Sequence, residues 1–208
     1  ADDIVQIMTP IVKAYLTDEG YFSTDQALQS MGGSGFTQDW EVEQLSRDGR
    51  IARIYEGTNG IQALDLVGRK LMIKGGRLPK TYFKVMHEMI AKIENEQHKE
   101  HCKTLLNTLQ KSLMWLASNA MKDAEIVGAA ATPLLKLFSL TTMGVMWATM
   151  ANVASADLTS GKYSEDFYQG KMKAAEHFFR TSKSQAELFQ ADIQAGKETL
   201  MNFTAEQF

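Results

Sequence analysis

The sequence predicts an all-α fold, and three observations support this prediction. Proline is rare, at three of 208 residues, and long stretches consist of good helix formers. Apolar residues recur three and four positions apart, which is the spacing of one face of a helix. No run of alternating β-branched residues bounded by hairpin turns stands out. The predicted architecture is a helical bundle followed by a second, antiparallel helical bundle.

Two helices are predicted before residue 34. The first has an apolar face from Ile4 to Tyr15, and two aspartates precede this face at the positive end of the helix dipole. Ser23 and Gln26 fit a capping box, which predicts the start of a second, short helix. This helix is expected to end at the glycine pair that follows Met31.

Two more helices are predicted before residue 77. Asp39 is the expected N-cap of a helix that runs out near Gly49. Thr58 is the expected cap of the next helix, whose apolar stripe runs from Ile61 to Leu71. These assignments complete the elements of the first predicted bundle.

The stretch GGRLPK, residues 75–80, is the predicted boundary between two domains. Its glycine pair is a helix stop, and a new helix is expected to start after Pro79. Residues 1–76 are therefore predicted to form one helical domain, and residues 77–208 an appended helical domain. The helices expected in the appended domain span about residues 81–96, 99–121, 124–157, 164–182 and 183–202.

The composition argues against two kinds of partner. The net charge is −3 and the basic residues are scattered, which is unfavourable for nucleic-acid binding. Residues 137–156 carry no charge over a length that could just cross a bilayer, but six Ser, Thr and Asn side chains make them too polar. We predict a central bundle helix there instead of an integral membrane segment. A single cysteine, Cys102, fits a reducing cytoplasm.

The histidines predict no metal site. Glu94, His98 and His101 could share one helix face, but metal sites in bundles need Glu-x-x-His pairs on two helices, and residues 94–97 read Glu-x-x-Gln. We expect these three side chains to lie on a solvated polar face. His87 and His177 are isolated in the sequence, and no motif places a nucleophile beside them.

Two features between residues 29 and 62 could carry chemistry. Gly32, Gly33 and Gly35 make a turn whose backbone amides could bind an anion such as phosphate, although glycines after a helix also fit a simple C-cap. Glu56 lies beside an aromatic residue and just before a helix N-terminus, where a carboxylate could act as a base. A single glutamate in a loop also fits a solvated charge. Taken separately, each feature leaves both alternatives open.

Taken together, these features resemble a known family. Residues 28–71 read LQSMGGSGFTQDWEVEQLSRDGRIARIYEGTNGIQALDLVGRKL and contain the patterns Q-x-x-GG-x-G-F, Arg-Asp-x-x-Ile and I-Y-E-G-T. Over about residues 1–75 the chain resembles the C-terminal helical region of flavin-dependent acyl-CoA dehydrogenases. The further helical domain resembles the long-form branch, which includes enzymes similar to 3-methylmercaptopropionyl-CoA dehydrogenase. Two positions depart from the pattern, with Gly49 replacing a usual alanine and Gly60 a longer polar residue.

The resemblance implies a role for each motif residue. Glu56 would be the base that removes the α-proton of an acyl-CoA thioester. Tyr55 and Gly57 would lie at the substrate, with the Gly57 backbone contacting the thioester. The glycine turn and the glutamine before it would hold the pyrophosphate of FAD across a subunit interface, and the threonine of the I-Y-E-G-T pattern would contact the flavin. The residues at these cofactor positions are Gln29, Gly32, Gly33 and Thr58.

The resemblance also implies a whole enzyme. The chain would be the C-terminal portion of an acyl-CoA dehydrogenase that makes 2-enoyl-CoA, passes electrons to an electron-transfer flavoprotein and forms a homodimer or larger homo-oligomer. In this family most of the flavin and substrate pocket comes from other regions, so we expect the chain alone to be inactive. Two alternatives stay open: a non-enzymatic helical scaffold for oligomerisation, and an acyl-CoA oxidase that uses oxygen.

Overall fold

The computed structural model describes residues 1–207, which form helices and turns without a strand in that range. The predicted all-α fold is therefore confirmed. The α-helices are α1 (Asp2–Ser30), α2 (Val42–Ile51), α3 (Asn59–Asp65), α4 (Ile73–Ala91), α5 (Glu96–Ala120), α6 (Glu125–Ala156), α7 (Glu165–Gln194) and α8 (Glu198–Met201). Two 3₁₀ helices (Gly32–Phe36 and Ala205–Gln207) and one π-helical turn (Leu66–Lys70) complete the described elements.

The first helix is longer than predicted. α1 continues through Ser23, whose hydroxyl donates a 2.7 Å hydrogen bond to the carbonyl oxygen of Glu19. A serine inside a helix satisfies its hydroxyl in this way, so this side chain does not cap a new helix. The predicted capping box of Ser23 and Gln26 is wrong, and one helix replaces two. The end of α1 just before the glycine pair agrees with the prediction.

α2 begins and ends later than predicted. It starts at Val42, and no side chain caps its N-terminus. The predicted cap, Asp39, instead lies in the preceding turn, where its carboxylate accepts a 3.4 Å hydrogen bond from the Thr37 hydroxyl. The helix continues past Gly49 to Ile51, because a single glycine lowers helix stability by only about 1 kcal/mol relative to alanine.

The cap of α3 agrees with the prediction. The Thr58 hydroxyl oxygen accepts a 3.4 Å hydrogen bond from the backbone N–H of Ile61. The apolar stripe that follows continues from α3 into the π-helical turn, where Leu66 and Val67 are buried. Thr58 therefore marks the start of α3, the point at which the chain leaves the preceding turn and turns towards the core.

The glycine pair interrupts the helix as predicted. Lys74, Gly75 and Gly76 have φ values of 55°, 63° and 73°, which lie in the left-handed region. The right-handed part of α4 consequently begins at Arg77. Pro79 lies inside its first turn instead of before it, a position where the missing N–H of proline is tolerated.

α6 runs antiparallel to both α5 and α7. Just before α5, the backbone N–H of Glu94 donates a 2.9 Å hydrogen bond to the side chain of Asn152, near the end of α6. Just after α7, the Lys197 ammonium lies 2.6 Å from the carboxylate of Asp123, which precedes α6. Each contact places the start of one helix beside the end of its neighbour, as the predicted antiparallel bundle requires.

One helix also replaces the two predicted between residues 164 and 202. α7 continues to Gln194, and only the four-residue α8 follows. The buried Ser182 hydroxyl donates to the carbonyl oxygen of Phe179, 3.3 Å away, so the polar run around residue 183 stays helical.

A continuous hydrophobic core extends from α1 to α7, with α6 at its centre. The Tyr82 hydroxyl of α4 lies 2.9 Å from the Thr142 hydroxyl of α6 inside this core. Within residues 1–207, α6 alone is long and apolar enough to cross a bilayer, but 56% of its most apolar window is buried in the protein. A buried core helix meets the same criteria, so this is weak evidence for a membrane span. The domain division at residue 76 stays a prediction.

Candidate functional site

The chain makes a strained turn between α2 and α3. Glu56 has a φ of 55° and Gly57 a φ of 84°, both in the left-handed region. For a residue with a side chain, this conformation costs on the order of 1 kcal/mol and persists only where the surroundings fix it. Among the described residues, Lys74 in the helix break is the only other non-glycine residue with a positive φ. Such strain often occurs at functional sites.

Two side chains fix the carbonyl groups of this turn. The Gln62 amide, on α3, donates a 2.9 Å hydrogen bond to the carbonyl oxygen of Glu56. The Lys13 ammonium, on α1, donates a 2.7 Å hydrogen bond to the carbonyl oxygen of Gly57. Successive peptide groups are therefore held by donors from two different helices.

Asn59 links the same turn to α1. Its side-chain oxygen accepts a 2.9 Å hydrogen bond from the Lys13 ammonium. Its side-chain nitrogen lies 3.1 Å from the Ala14 carbonyl oxygen and 2.8 Å from the Asp18 carboxylate. The same Asp18 oxygen accepts a 2.6 Å hydrogen bond from the guanidinium of Arg53. The polar side of α1 between residues 13 and 18 thus positions the chain on both sides of Glu56.

The groups that could react remain free at this turn. Within residues 1–207, no hydrogen bond or ion pair involves the Glu56 carboxylate, which is exposed together with the Tyr55 ring. Over the same range, the backbone N–H groups of Glu56 and Gly57 donate to no protein acceptor. The hydroxyl oxygen of Thr58 is used as a cap, but its hydrogen is not.

This combination suits proton abstraction next to a carbonyl group. A carboxylate without a partner can accept a proton, and an adjacent free amide can donate to an oxygen on which negative charge develops. The held backbone fixes the amide and the point from which the Glu56 side chain extends, which lowers the entropy lost on reaching the reactive geometry. The turn therefore places a carboxylate that could act as a base within two residues of an amide that could polarise a carbonyl group.

The glycine turn folds as the short 3₁₀ helix Gly32–Phe36 at the end of α1. Gly35 is buried, and a Cβ there would lie 2.8 Å from the carbonyl oxygen of Leu28, so internal packing requires glycine. Gly33 differs, because it is exposed and a Cβ there would meet no atom within 4 Å. Contacts within residues 1–207 do not explain the glycine at position 33. Gln29, in the last turn of α1, is exposed as well.

Asn59, which follows the Glu56 turn, and the glycine turn lie at different points along α1. Asn59, three residues after Glu56, bonds to the carbonyl oxygen of Ala14. Gln29 lies fifteen residues further along the same helix, which corresponds to about 22 Å at 1.5 Å per residue. The predicted site residues therefore form two groups, one beside the first half of α1 and one at its C-terminal end.

The histidines on α5 are not on a solvated face, contrary to the prediction. His98 is buried and His101 half-buried, and both rings pack against Phe179, at centroid distances of 5.0 and 5.1 Å. Burial lowers the pKa of His98, since it disfavours the charged form; Glu176 opposes this effect and His101 adds to it. In the described part of the chain, no group of three or more His, Cys, Asp or Glu residues is arranged to hold a metal ion.

A cavity of about 820 Å³ lies away from Glu56, between the π-helical turn, α4 and α5. Apolar side chains such as Leu71, Phe83 and Leu113 line most of it, and Lys80 and His87 are its ionisable residues. No acid–base pair with convergent hydrogen bonds is found among these residues. The cavity therefore carries no chemistry comparable to that of the turn.

Sequence reasoning missed the residues that hold the turn. Lys13 lies between apolar residues of α1, and Asn59 follows the threonine cap, so neither belongs to a recognisable motif. Gln62 is six residues from its partner, a spacing that no helix pattern predicts. Only the positive φ of Gly57 had a signal in the sequence, because glycine favours it.

Family comparisons agree with the resemblance. Residues 1–72 match the model described as acyl-CoA dehydrogenase, C-terminal domain. Residues 82–204 match the model described as acetyl-CoA dehydrogenase C-terminal like. Together these matches cover most of the chain, including the turn at Glu56 and the bundle of α5, α6 and α7.

Individual relatives carry related names. A butyryl-CoA dehydrogenase of Syntrophomonas wolfei is 29% identical over 187 residues, covering 85% of this chain and 30% of the relative. The 3-methylmercaptopropionyl-CoA dehydrogenase of Ruegeria pomeroyi is 32% identical over 187 residues, covering 86% of this chain and 31% of the relative. The human mitochondrial very long-chain specific acyl-CoA dehydrogenase is 41% identical over 73 residues, covering 35% of this chain and 11% of the relative. The chain thus spans about 30% of the length of the first two relatives.

Proposed function

Because the chain belongs to the acyl-CoA dehydrogenase family, we propose that the protein containing it oxidises an acyl-CoA thioester to the 2-enoyl-CoA with bound FAD. The observation that carries this proposal is the Glu56 turn. A carboxylate without a protein partner within residues 1–207 extends from a left-handed backbone that donors on both α1 and α3 hold in place. A solvated surface glutamate has no need of such a costly conformation.

In this proposal the chain contributes the base and its surroundings. The Glu56 carboxylate takes the proton from the α-carbon, and the free N–H of Gly57 polarises the thioester oxygen as negative charge grows there. The Tyr55 ring lies beside the acyl group and helps to exclude water. FAD, when bound, accepts the hydride that leaves the β-carbon, so that the carbon–carbon double bond forms.

The candidate FAD-binding residues fit the cofactor in two respects. The hydroxyl hydrogen of Thr58 is unused and can donate to the flavin. The exposed Gly33 leaves open space where a Cβ would be, so a pyrophosphate can approach the backbone closely. We assign Gln29, Gly32 and Gly33 to the pyrophosphate and Thr58 to the flavin.

Two active sites share this chain in the proposal. About 22 Å of α1 separates Gln29 from the Ala14 carbonyl oxygen that binds Asn59, which supports an arrangement in which the glycine turn serves the FAD of a neighbouring subunit while Glu56 serves its own substrate. This arrangement needs a homodimer or a larger homo-oligomer. Electrons leave through an electron-transfer flavoprotein. A cytoplasmic location stays a prediction from the cysteine content.

Exposed apolar side chains near both the glycine turn and the Glu56 turn support a role for the rest of the enzyme. Phe36 is 79% exposed, Trp40 51%, Ile54 46% and Ile61 54%. Apolar side chains exposed to this degree are available for contact with another part of the protein. We infer that further parts of the enzyme cover these residues and complete the flavin and substrate pocket, and that the 208 residues alone purify without a yellow flavin spectrum.

The test is Glu56→Gln in the full-length protein. We expect this variant to retain FAD but to lose the anaerobic bleaching of flavin absorbance by acyl-CoA. Glu41→Gln, at an exposed glutamate before α2, is the matched control and should bleach normally. Normal bleaching by Glu56→Gln would move the base to another residue. Stoichiometric hydrogen peroxide in air would favour oxygen, instead of an electron-transfer flavoprotein, as the acceptor.

A further inference from the structure

We propose that Lys13 and Asn59 are positioning residues for the Glu56 base, acting through the backbone of the turn. The inference rests on the proposed function, since it assigns a role relative to the proposed base. Lys13 lies 43 positions before Glu56 in the sequence and belongs to none of the motifs above.

The geometry of the turn requires external support. Glu56 and Gly57 are both left-handed, and the glutamate in particular would relax to the right-handed region if nothing opposed it. Such a relaxation would rotate the peptide groups after both residues. The carbonyl of Gly57 would then leave the Lys13 ammonium, and the carbonyl of Glu56 would leave the Gln62 amide. The Lys13 contact therefore opposes the movement that would redirect the base.

Lys13 and Asn59 act as one unit. The ammonium contacts the Gly57 carbonyl oxygen at 2.7 Å and the Asn59 side-chain oxygen at 2.9 Å. Asn59 in turn is tied to α1 through the Ala14 carbonyl oxygen and the Asp18 carboxylate. This closed set of contacts fixes the turn both at its carbonyl group and at the first residue of α3.

The bonding of Lys13 indicates a role in holding the turn. Within residues 1–207 the Lys13 ammonium forms no ion pair, and it donates to a backbone oxygen and to the oxygen of a neutral amide, although the half-buried side chain loses solvation. Arg77 provides a contrast, because it joins α1 to α4 through an ordinary ion pair with Asp3, at 2.8 Å. Loss of either cation weakens a contact of α1, but only the loss of Lys13 releases the turn.

The experiment compares Lys13→Met, Lys13→Arg and Arg77→Met in the full-length protein, with Glu56→Gln in parallel. FAD content, thermal midpoint, the limiting rate of anaerobic bleaching and the half-saturating acyl-CoA concentration are measured for each. We expect Lys13→Met to keep FAD and to lose about ten- to hundredfold in limiting rate, since small displacements of a catalytic group have effects of this size. The half-saturating concentration should change less than about threefold, because the contact acts on proton abstraction and not on ground-state binding.

The control variants separate positioning from general stability. Arg77→Met should bleach at the normal limiting rate, and Lys13→Arg, which keeps the donors, should recover much of the lost rate. If Lys13→Met does not retain FAD, Lys13→Gln is measured in its place, because its amide is a donor on a shorter side chain. We expect the same loss of limiting rate for this variant.

The outcomes also distinguish this inference from the proposed function. A normal limiting rate in the Lys13 variant, while Glu56→Gln does not bleach, overturns the positioning role and leaves the base in place. Normal bleaching by Glu56→Gln overturns the proposed base itself, whatever the Lys13 variants do. An equal loss of rate in Arg77→Met and Lys13→Met shows a general effect of α1 packing and also overturns the inference.

Discussion

The side-chain nitrogen of Gln62 lies 2.9 Å from the carbonyl oxygen of Glu56, and a Cβ added to Gly57 would lie 3.0 Å from that nitrogen. The glycine thus leaves room for the contact that holds its neighbour. The same glycine has a φ of 84°, which an L-residue with a side chain rarely adopts. Both properties make Gly57 a sensitive probe of the turn.

We expect Gly57→Ala to slow flavin bleaching in the full-length protein by about tenfold or more. The methyl group would displace Gln62 and add left-handed strain of about 1–2 kcal/mol. The measurement is the limiting rate of anaerobic bleaching, together with FAD content. Gly60→Ala is the matched control, because a Cβ there meets nothing within 4 Å and alanine favours the helix. Equal rates for the two variants would contradict the proposed importance of the turn geometry.

The glycine turn gives a second matched pair. Gly35→Ala should lower the thermal midpoint, because its Cβ would collide with backbone near Leu28; overpacking of this kind costs about 1–3 kcal/mol. Gly33→Ala should leave the midpoint of the apoprotein unchanged but reduce the FAD bound per chain, since the methyl group occupies the space assigned to the pyrophosphate.

The FAD prediction has its own control. Gly128→Ala, at an exposed position of α6 with nothing within 4 Å of the added Cβ, should bind FAD normally. FAD content is read from the ratio of flavin to protein absorbance after gel filtration. A full complement of FAD in Gly33→Ala would remove Gly33 from the pyrophosphate site.

A third prediction concerns acid sensitivity where α5 packs on α7. His98 has a folded pKa below its ordinary value of 6.5, so the unfolded chain binds a proton more readily than the folded chain. The free energy of unfolding therefore has its full value, as far as His98 is concerned, above pH 6.5. It falls as the pH drops from 6.5 towards the lowered pKa of the folded chain. The slope in this window is at most about 1.4 kcal/mol per pH unit for one group.

Hydrogen exchange in α5 and α7 tests this expectation. Between pH 7.5 and 5.5, the opening free energy, corrected for intrinsic exchange, should fall in the wild-type protein and fall less in His98→Phe, which keeps a ring against Phe179. His87→Gln, at an exposed histidine of α4, should behave like the wild type. The same pH dependence in His98→Phe would assign the effect to other groups.

The helical fold was largely predictable from local signals. The Thr58 cap and the break at Gly75 and Gly76 were predicted, since a hydroxyl cap and left-handed glycines act within a few residues. The false helix start at Ser23 occurred because a serine inside a helix resembles a cap in sequence. In the fold, Ser23 and Ser182 bond to carbonyl groups of their own helices.

The site was only partly predictable. The spacing of the glycine turn and of the I-Y-E-G-T stretch led to the family, which the comparisons confirm. The roles assigned to Glu56, Tyr55, Gly57, Thr58 and the residues of the glycine turn stay predictions. The burial of His98 against Phe179 was missed, because a histidine on a charged stretch of helix gives no sign of what packs on it.

The sequence by itself determined the family, the helical class and the residue types at the turn, because motif spacing and helix periodicity are properties of neighbouring positions. Only the tertiary structure decided that Lys13 and Asn59 hold the turn, and that Asn59 binds α1 about 22 Å along the helix from Gln29. Such contacts join residues 44 to 46 positions apart. They depend on how α1, α2 and α3 pack, which local patterns do not specify.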